Sequence, residues 1–476
     1  MPIRTGCSER WWKPLQRVPQ RTEHAPGRAH HQVPVRVAHP PDCRRYREST
    51  CFVNLLLHLD ANAGRRSRLP QSRPNLKSIR KAVKSRVPVW RRLSAGLITG
   101  AADDDPSGIA TYSQVGAAYG YATLWSVLLA LPLMIAIQTI SARIGRVTGA
   151  GIGANLRKHY PHALAYSLVL ALLIANVINL AADIGAMGSA LNLLIGGPAL
   201  AYTAAFALLS LVLQVFVPFS YYSPILKVLT LSLLAYVAAV FAIKVPWDEV
   251  AKGVFFPRIV FDAKYAVAIV AVFGTTISPY LFFWQAAQEV AEVRDPSNER
   301  RPLKSKPRQG PDALQRIGVD TISGMFFSQV VAFFIIVTTA VVLHTHGITD
   351  INSSAQAAAA LRPLAGPFAF AVFAAGIIGT GLLAVPVLAG AAAYGVADAL
   401  GSPSGLERKP HQAKVFYTVL IVASVVGMAL NFAAIDPIKA LYWSAVINRV
   451  AAVPIMVVIM LLGTNPRIMG KFVLPL

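Results

Sequence analysis

The chain has 476 residues, of which 55% are hydrophobic and only 14% charged, and its mean hydropathy is +0.51. A soluble domain carries about 25% charged residues, so an ordinary water-soluble fold is excluded. The formal net charge is +23, and three cysteines (Cys7, Cys43, Cys51) are too few and too scattered for a disulfide framework.

In chain order, residues 1–92 hold 21 Lys or Arg against 5 Asp or Glu, which places +16 of the +23 before the first long apolar run. The segment is rich in Pro and Arg and lacks sustained periodicity. Its one apolar run, Cys51 to Leu59, is too short to span a bilayer. Residues 1–88 therefore read as a basic, disordered tail. Such tails can bind nucleic acid or anionic lipid; neither is taken as the function here, and no nucleic-acid partner is expected. His24, His30, His31 and His39 show no metal-ligand spacing.

Beyond the tail, apolar runs of about 20 residues, the length needed to cross a bilayer, recur ten times. They lie near 93–119, 122–142, 162–186, 198–218, 225–244, 265–291, 317–343, 366–398, 413–433 and 440–463. Residues 89–470 thus read as an all-α polytopic membrane domain, its natural partner the lipid bilayer. The loops after spans two, six and eight concentrate Arg143, Arg146, Arg157, Arg300, Arg301, Lys304, Arg408 and Lys409. Cytoplasmic loops carry the excess of Lys and Arg, so both termini are expected inside, in a plasma (inner) membrane.

Two spans are interrupted at matching places in two five-span halves, about 93–244 and 265–463. Span one breaks at Asp105-Pro106-Ser107-Gly108 and span six at Gly274-Thr275-Thr276-Ile277-Ser278-Pro279. A proline lacks the amide donor and frees a carbonyl one turn earlier. Paired broken helices in corresponding halves point to a transporter site at the bilayer midplane. Three aspartates, Asp103, Asp104 and Asp105, sit at the first break. They argue for a cation as ligand, because intramembrane carboxylates are costly and default to function.

The stretch from Asp105 to Gly149 resembles the first two spans of the Nramp family of proton-coupled divalent metal transporters. The matching residues are Asp105-Pro106, Ala110-Thr111, Gln114, Gly116, Gly120-Tyr121, Ala142-Arg143-Ile144-Gly145 and Val147-Thr148-Gly149. The resemblance implies a LeuT-like fold of two inverted five-helix repeats with helices 1 and 6 broken. It also implies a divalent cation as substrate, protons as coupling ion and no cofactor. Carried over residue by residue, it makes Asp105, the Thr275 carbonyl and Ser278 the metal ligands and Asp183 a proton carrier. Independently of the resemblance, three adjacent carboxylates cannot all ionise cheaply in low dielectric, which makes Asp103 and Asp104 possible additional metal or proton carriers. From their places in the spans, Gln114 is expected to line a vestibule and Tyr280 to line the inner vestibule or pack.

The departures are chemical. The family's span-one Asn is Gly108 here, its Met-Pro-His is Ser278-Pro279-Tyr280, and the Glu three residues beyond its span-three Asp is Ala186. The span-ten Gln has no clear match; Ala445 is the nearest register and Asn448 a stand-in. Thioethers favour softer metals, while carboxylate, carbonyl and water suit Mg2+, Ca2+ and Mn2+. Exchanging Met for Ser is therefore expected to admit hard ions.

Each assignment has a plainer rival. Asp105 can cap the second half-helix, Asp103 and Asp104 can point elsewhere because successive helical residues diverge by about 100°, and Ser278 and Thr275 can patch the break by bonding backbone. Asn176 and Asn179 read as glue between helices. Two other functions stay open: a transporter of an organic cation or amino acid on the same fold, and a metal sensor that does not transport. No hydrolytic or redox site is legible, so an enzyme is not expected.

Overall fold

Where the surroundings are hydrocarbon, each backbone amide and carbonyl must find a partner within the chain, and helix satisfies this locally. The computed structural model describes residues 95–218, 221, 228, 231–295, 300–433 and 436–474. Within these, every regular element is helical. The basic tail lies outside the described residues, as does part of the fifth span.

The first span is two helices, α1 (Ala95–Asp103) and α2 (Pro106–Tyr119). Gly120, at φ 57°, ends α2 in a conformation that favours glycine, and one 3-10 turn leads into α3 (Leu124–Thr148). A short helix α4 (Ile152–His159) precedes α5 (His162–Ile195) and α6 (Ala199–Phe216). The first half closes with α7 (Leu234–Ala242), and the connecting helix α8 (Trp247–Phe255) follows. The second half repeats the pattern: a split span of α9 (Ala263–Thr276) and α10 (Pro279–Arg294), then α11 (Gly310–Val342), α12 (Ala369–Leu400), α13 (Lys414–Leu430) and α14 (Pro437–Thr464). Eight helical runs among the described residues are long and apolar enough to cross a membrane. One of these joins α2 to α3 through the turn at Gly120, and the ten spans read from the sequence each contain described helix.

Burial is inverted relative to a soluble protein. Leu128, Leu133, Leu170, Ile174, Leu208, Phe241 and Val450 are exposed, whereas Asp103, Asp104, Asp105, Asn179, Asp183 and Thr275 are buried. An exposed apolar belt of this extent is intelligible in lipid and a liability in water. The bundle's centre is built by α5 against α12 and α14, by α1 and α2 against α11, and by α10 against α3. Small residues permit the closest of these contacts. A Cβ added at Gly100 would lie 2.2 Å from the carbonyl oxygen of Gly324, so α1 and α11 touch backbone to backbone there.

At the end of the bundle that carries the 300–316 connection, charges are paired rather than dispersed. The Arg316 guanidinium on α11 donates to both carboxylate oxygens of Glu289 on α10, at 2.6 and 2.8 Å, and lies 3.2 Å from Glu292. Arg300 also pairs with Glu292. The connection itself is tied to α3 by the Leu303 amide, which donates to the Arg146 carbonyl, and by Arg146 Nη2, which donates to Gln309 Oε1 at 3.2 Å.

Candidate functional site

Both breaks are present, and both are shorter than the sequence motifs suggested. In the first span only Asp104 and Asp105 leave the helix; in the second only Ile277 and Ser278 do. Pro106 and Pro279 each occupy the first position of the following half-helix. A missing amide costs nothing at that position, since it would have no helical partner there. Gly108 and Gly274, expected within the breaks, are helical. Gly274 serves packing: a Cβ there would lie 1.9 Å from the Ala445 carbonyl oxygen of α14.

The two breaks face one another. A Cβ at Gly108 would lie 3.2 Å from Thr275 Oγ1. The Tyr280 hydroxyl reaches the other way, 2.9 Å from the Ala102 carbonyl oxygen and 3.3 Å from Asp105 Oδ2, so its one proton serves either acceptor. Tyr280 is fully buried. Of the two expectations for it, lining a vestibule or packing, its contacts are those of a packed tie between the split helices. Gln114 borders a cavity of about 710 Å³, with Tyr119, Asp262, Asp350 and Tyr442. Its side chain bridges to the 349–351 loop, donating to the Thr349 carbonyl and accepting from the Ile351 amide.

Asp105 is the best-connected side chain at the junction. It is the N-cap of α2: Oδ1 accepts from the Gly108 amide at 2.8 Å and from Ser107 Oγ at 2.6 Å. This satisfies an orphan amide of the first turn and sets a negative charge at the positive end of the helix. Oδ2 accepts from Asn179 Nδ2 of α5 at 2.9 Å. The capping rival is therefore realised, but it accounts for only one of the two carboxylate oxygens.

The other aspartates diverge. Asp103 Oδ2 and Asp104 Oδ1 both meet Ser328 Oγ of α11, at 2.5 and 3.1 Å, away from the partners of Asp105 on α5. Asp103 Oδ1 and Asp104 Oδ2 are buried without a hydrogen-bond partner. Asp183, one turn beyond Asn179 on α5, is buried, and the Ser107 amide faces it. Ser278 Oγ lies 2.8 Å from the Gly274 carbonyl oxygen and 2.9 Å from that of Thr275. Its one proton serves either carbonyl, and the Thr275 carbonyl is the one that Pro279, four residues on and lacking an amide, leaves without a helical partner. Thr275 Oγ1 is buried with no partner, as are both amide atoms of Asn448.

Among the described residues no three His, Cys, Asp or Glu side chains converge as a metal cluster. The junction is instead one carboxylate, Asp105, ringed by neutral oxygen and nitrogen groups: the Ser107 and Tyr280 hydroxyls and the Asn179 carboxamide. Such a set suits a hard cation that keeps part of its water shell. Ser444 is the residue that sequence reasoning passed over, and Asn179, read there only as glue between helices, touches Asp105 itself. Ser444 Oγ donates to Asn179 Oδ1 at 2.8 Å, so α14, α5 and α2 are linked through one carboxamide. A signal was present, since Asn176, Asn179 and Asp183 stand at i, i+3 and i+7, one polar stripe on an otherwise apolar helix. Asn176 behaves as expected of glue, donating to the Leu388 carbonyl of α12.

Residues 96–476 match the family model described as natural resistance-associated macrophage protein-like, Nramp. The chain belongs to the Nramp family. It is 26% identical over 286 residues to a divalent metal cation transporter, MntH, of Verminephrobacter eiseniae, across 58% of this chain and 62% of that one. It is 26% identical over 380 residues to the protein of the same name from Granulibacter bethesdensis, across 78% of this chain and 79% of that one. The first of these matches thus spans about three fifths of the relative's length. The crystal structure of the Eremococcus coleocola manganese transporter superposes with a TM-score of 0.64 at 16% identity, covering 86% of this chain and 84% of that one. The architecture is the LeuT-like fold of two inverted five-helix repeats, with the first helix of each repeat broken.

Proposed function

We propose that this Nramp chain is a secondary transporter of divalent metal cations, working by alternating access around a midplane site at Asp105. The observation that carries this reading is a buried carboxylate at the meeting point of two broken helices, surrounded by oxygen-bearing side chains. The relatives' names support the same substrate class. In this reading Asp105 is the charged ligand, and Thr275 and Ser278 supply oxygens from the second break. Ser278 does so once its hydroxyl turns from the backbone. Protons are the coupling ion, and Asp183, buried beside the site with the Ser107 amide facing it, carries them. Asp103 and Asp104 add negative charge at the same depth. Both termini lie inside, in the plasma membrane, and the cavity at Gln114 is the outer entrance.

The test is uptake by proteoliposomes of Mg2+, Mn2+, Fe2+ and Ca2+, with and without a pH gradient. Uptake that grows with an inward proton gradient supports the reading; binding without flux would favour a sensor, and flux of an amino acid or organic cation alone would overturn the metal assignment.

Selectivity has its own test in Ser278→Met. A thioether at this position is expected to shift preference from Mg2+ toward Mn2+, Fe2+ and Cd2+ by roughly five- to thirtyfold, or about 1–2 kcal/mol. An unchanged ranking in the folded variant would assign selectivity to site size and hydration instead. Deleting residues 1–88 is expected to leave uptake within about twofold of the full chain, because a low-hydrophobicity, highly charged segment offers little to bury against a bundle; loss of flux with normal insertion would reverse that.

A further inference from the structure

The family's span-one motif carries an asparagine where this chain has Gly108, so the break carboxylate has no carboxamide beside it on its own helix. One arrives from another helix. Asn179 of α5 donates from Nδ2 to Asp105 Oδ2 at 2.9 Å, and its Oδ1 accepts from Ser444 Oγ of α14 at 2.8 Å. All three side chains are at most 1% exposed. We infer that Asn179 is a specificity-determining residue of the cation site, turning its amide nitrogen to Asp105 when no cation is held and its carbonyl oxygen to the cation when one is. The inference rests on the proposed site at Asp105.

A carboxamide carries an acceptor and two donors on a plane of nearly two-fold shape, and a half-turn about χ2 exchanges them with little change in volume. What fixes its orientation is therefore the demand at each end. A bare carboxylate demands the nitrogen. A cation seated on that carboxylate demands the oxygen and repels the amide hydrogens. The far end tolerates either state, because Ser444 Oγ lies 2.8 Å from Asn179 Oδ1 and 2.7 Å from the Leu441 carbonyl oxygen. A hydroxyl has one proton and two lone pairs. In the empty arrangement Ser444 gives its proton to Asn179. After the half-turn it gives the proton to Leu441 and accepts from the Asn179 amide. No buried hydrogen bond is left unmade at Ser444, so the exchange avoids the penalty of an orphaned polar group.

The ligand so supplied is a neutral, hard oxygen, of the kind preferred by Mg2+, Ca2+ and Mn2+. It arrives from α5, the helix that also carries Asp183 one turn away, and it is coupled through Ser444 to α14. Seating a cation would thus alter contacts on α2, α5 and α14 together.

The experiment measures Mn2+ and Cd2+ binding to the full chain by calorimetry, for the parent, Asn179→Leu, Asn179→Asp and Asp105→Ala. Asn179→Leu is expected to weaken Mn2+ binding by about tenfold and Cd2+ binding less, so the Mn2+/Cd2+ ratio falls. Asn179→Asp retains a hard oxygen and is expected to bind Mn2+ at least as tightly as the parent. It also keeps the inference testable if the leucine variant does not fold. Were Asn179 only a donor that occupies Asp105, removing it would free Oδ2, and Mn2+ binding by Asn179→Leu would be unchanged or tighter; that result overturns the inference, as does a folded Asn179→Asp without Mn2+ binding. Asp105→Ala separates the two levels. Lost Mn2+ binding there with parent-like binding in Asn179→Leu overturns only the role of Asn179, whereas parent-like binding in Asp105→Ala removes the site itself.

Discussion

Asp105→Ala is expected to reduce uptake of every divalent cation by at least about a hundredfold, whatever the ion's softness. Asp105 is the one carboxylate at the point where the split helices meet, and the groups that touch it are neutral. A hundredfold loss corresponds to about 2.7 kcal/mol, on the scale where 1.4 kcal/mol is tenfold. That is a modest demand on the carboxylate held between α2, α5 and α10, with Asp103 and Asp104 turned to Ser328 instead. Stability need not follow function. The substitution removes an N-cap worth about 1 kcal/mol, but it also removes an uncompensated charge from the bundle interior, which is costly to hold there. The variant is therefore expected to fold with an unfolding midpoint close to the parent's, while Ser107, Gly108 and Asn179 lose an acceptor. Asp105→Asn, which retains an oxygen for the cap, is a second variant with the same expected loss of flux. Undiminished uptake in either would move the charged ligand to Asp103 or Asp104.

Arg316→Ala carries the largest expected effect on stability, about 3–5 kcal/mol. Glu289 is buried, and both its oxygens are held by Arg316 in a two-point contact between α10 and α11. Truncating the arginine strands a carboxylate in a place with little water, and breaking such a pair costs far more than the pair itself contributes. The matching double variant, Arg316→Met with Glu289→Gln, is expected to recover part of the loss, because no carboxylate is then stranded while the buried Arg146 loses the charge it faces. Unfolding monitored in detergent checks both. A single-variant cost below about 1 kcal/mol would mean that Arg146, whose charge also reaches Glu289, is sufficient by itself.

The chain's placement in a membrane, its span count and the positions of the two prolines were legible from residues 93–463 because they depend on local quantities. Hydropathy sums over about 20 residues, and a proline lacks its amide whatever surrounds it. The extent of each break was less legible. Pro106 and Pro279 were read as unwinding several residues, yet a proline at the first helical position starts a helix as readily as it ends one. Gly108 and Gly274 consequently stayed helical and served close packing instead.

By itself the sequence determined that three aspartates stand at a helix break in an apolar bundle, and that the motif around Asp105 is that of the Nramp family. Through Gly108 and Ser278 it also showed where the chain departs from the family's span-one Asn and span-six Met. Only the tertiary structure decided how the carboxylates divide, with Asp103 and Asp104 turned to Ser328 of α11 and Asp105 to α5 and α10. It likewise decided that Asn179 and Ser444, 265 residues apart in the chain, meet beside Asp105, and that the Tyr280 hydroxyl closes on the same carboxylate. The reason is the direction of side chains. Helical periodicity states which residues share a face, but the neighbour that face meets is set by the packing of the other helices, and that information is distributed over the whole chain.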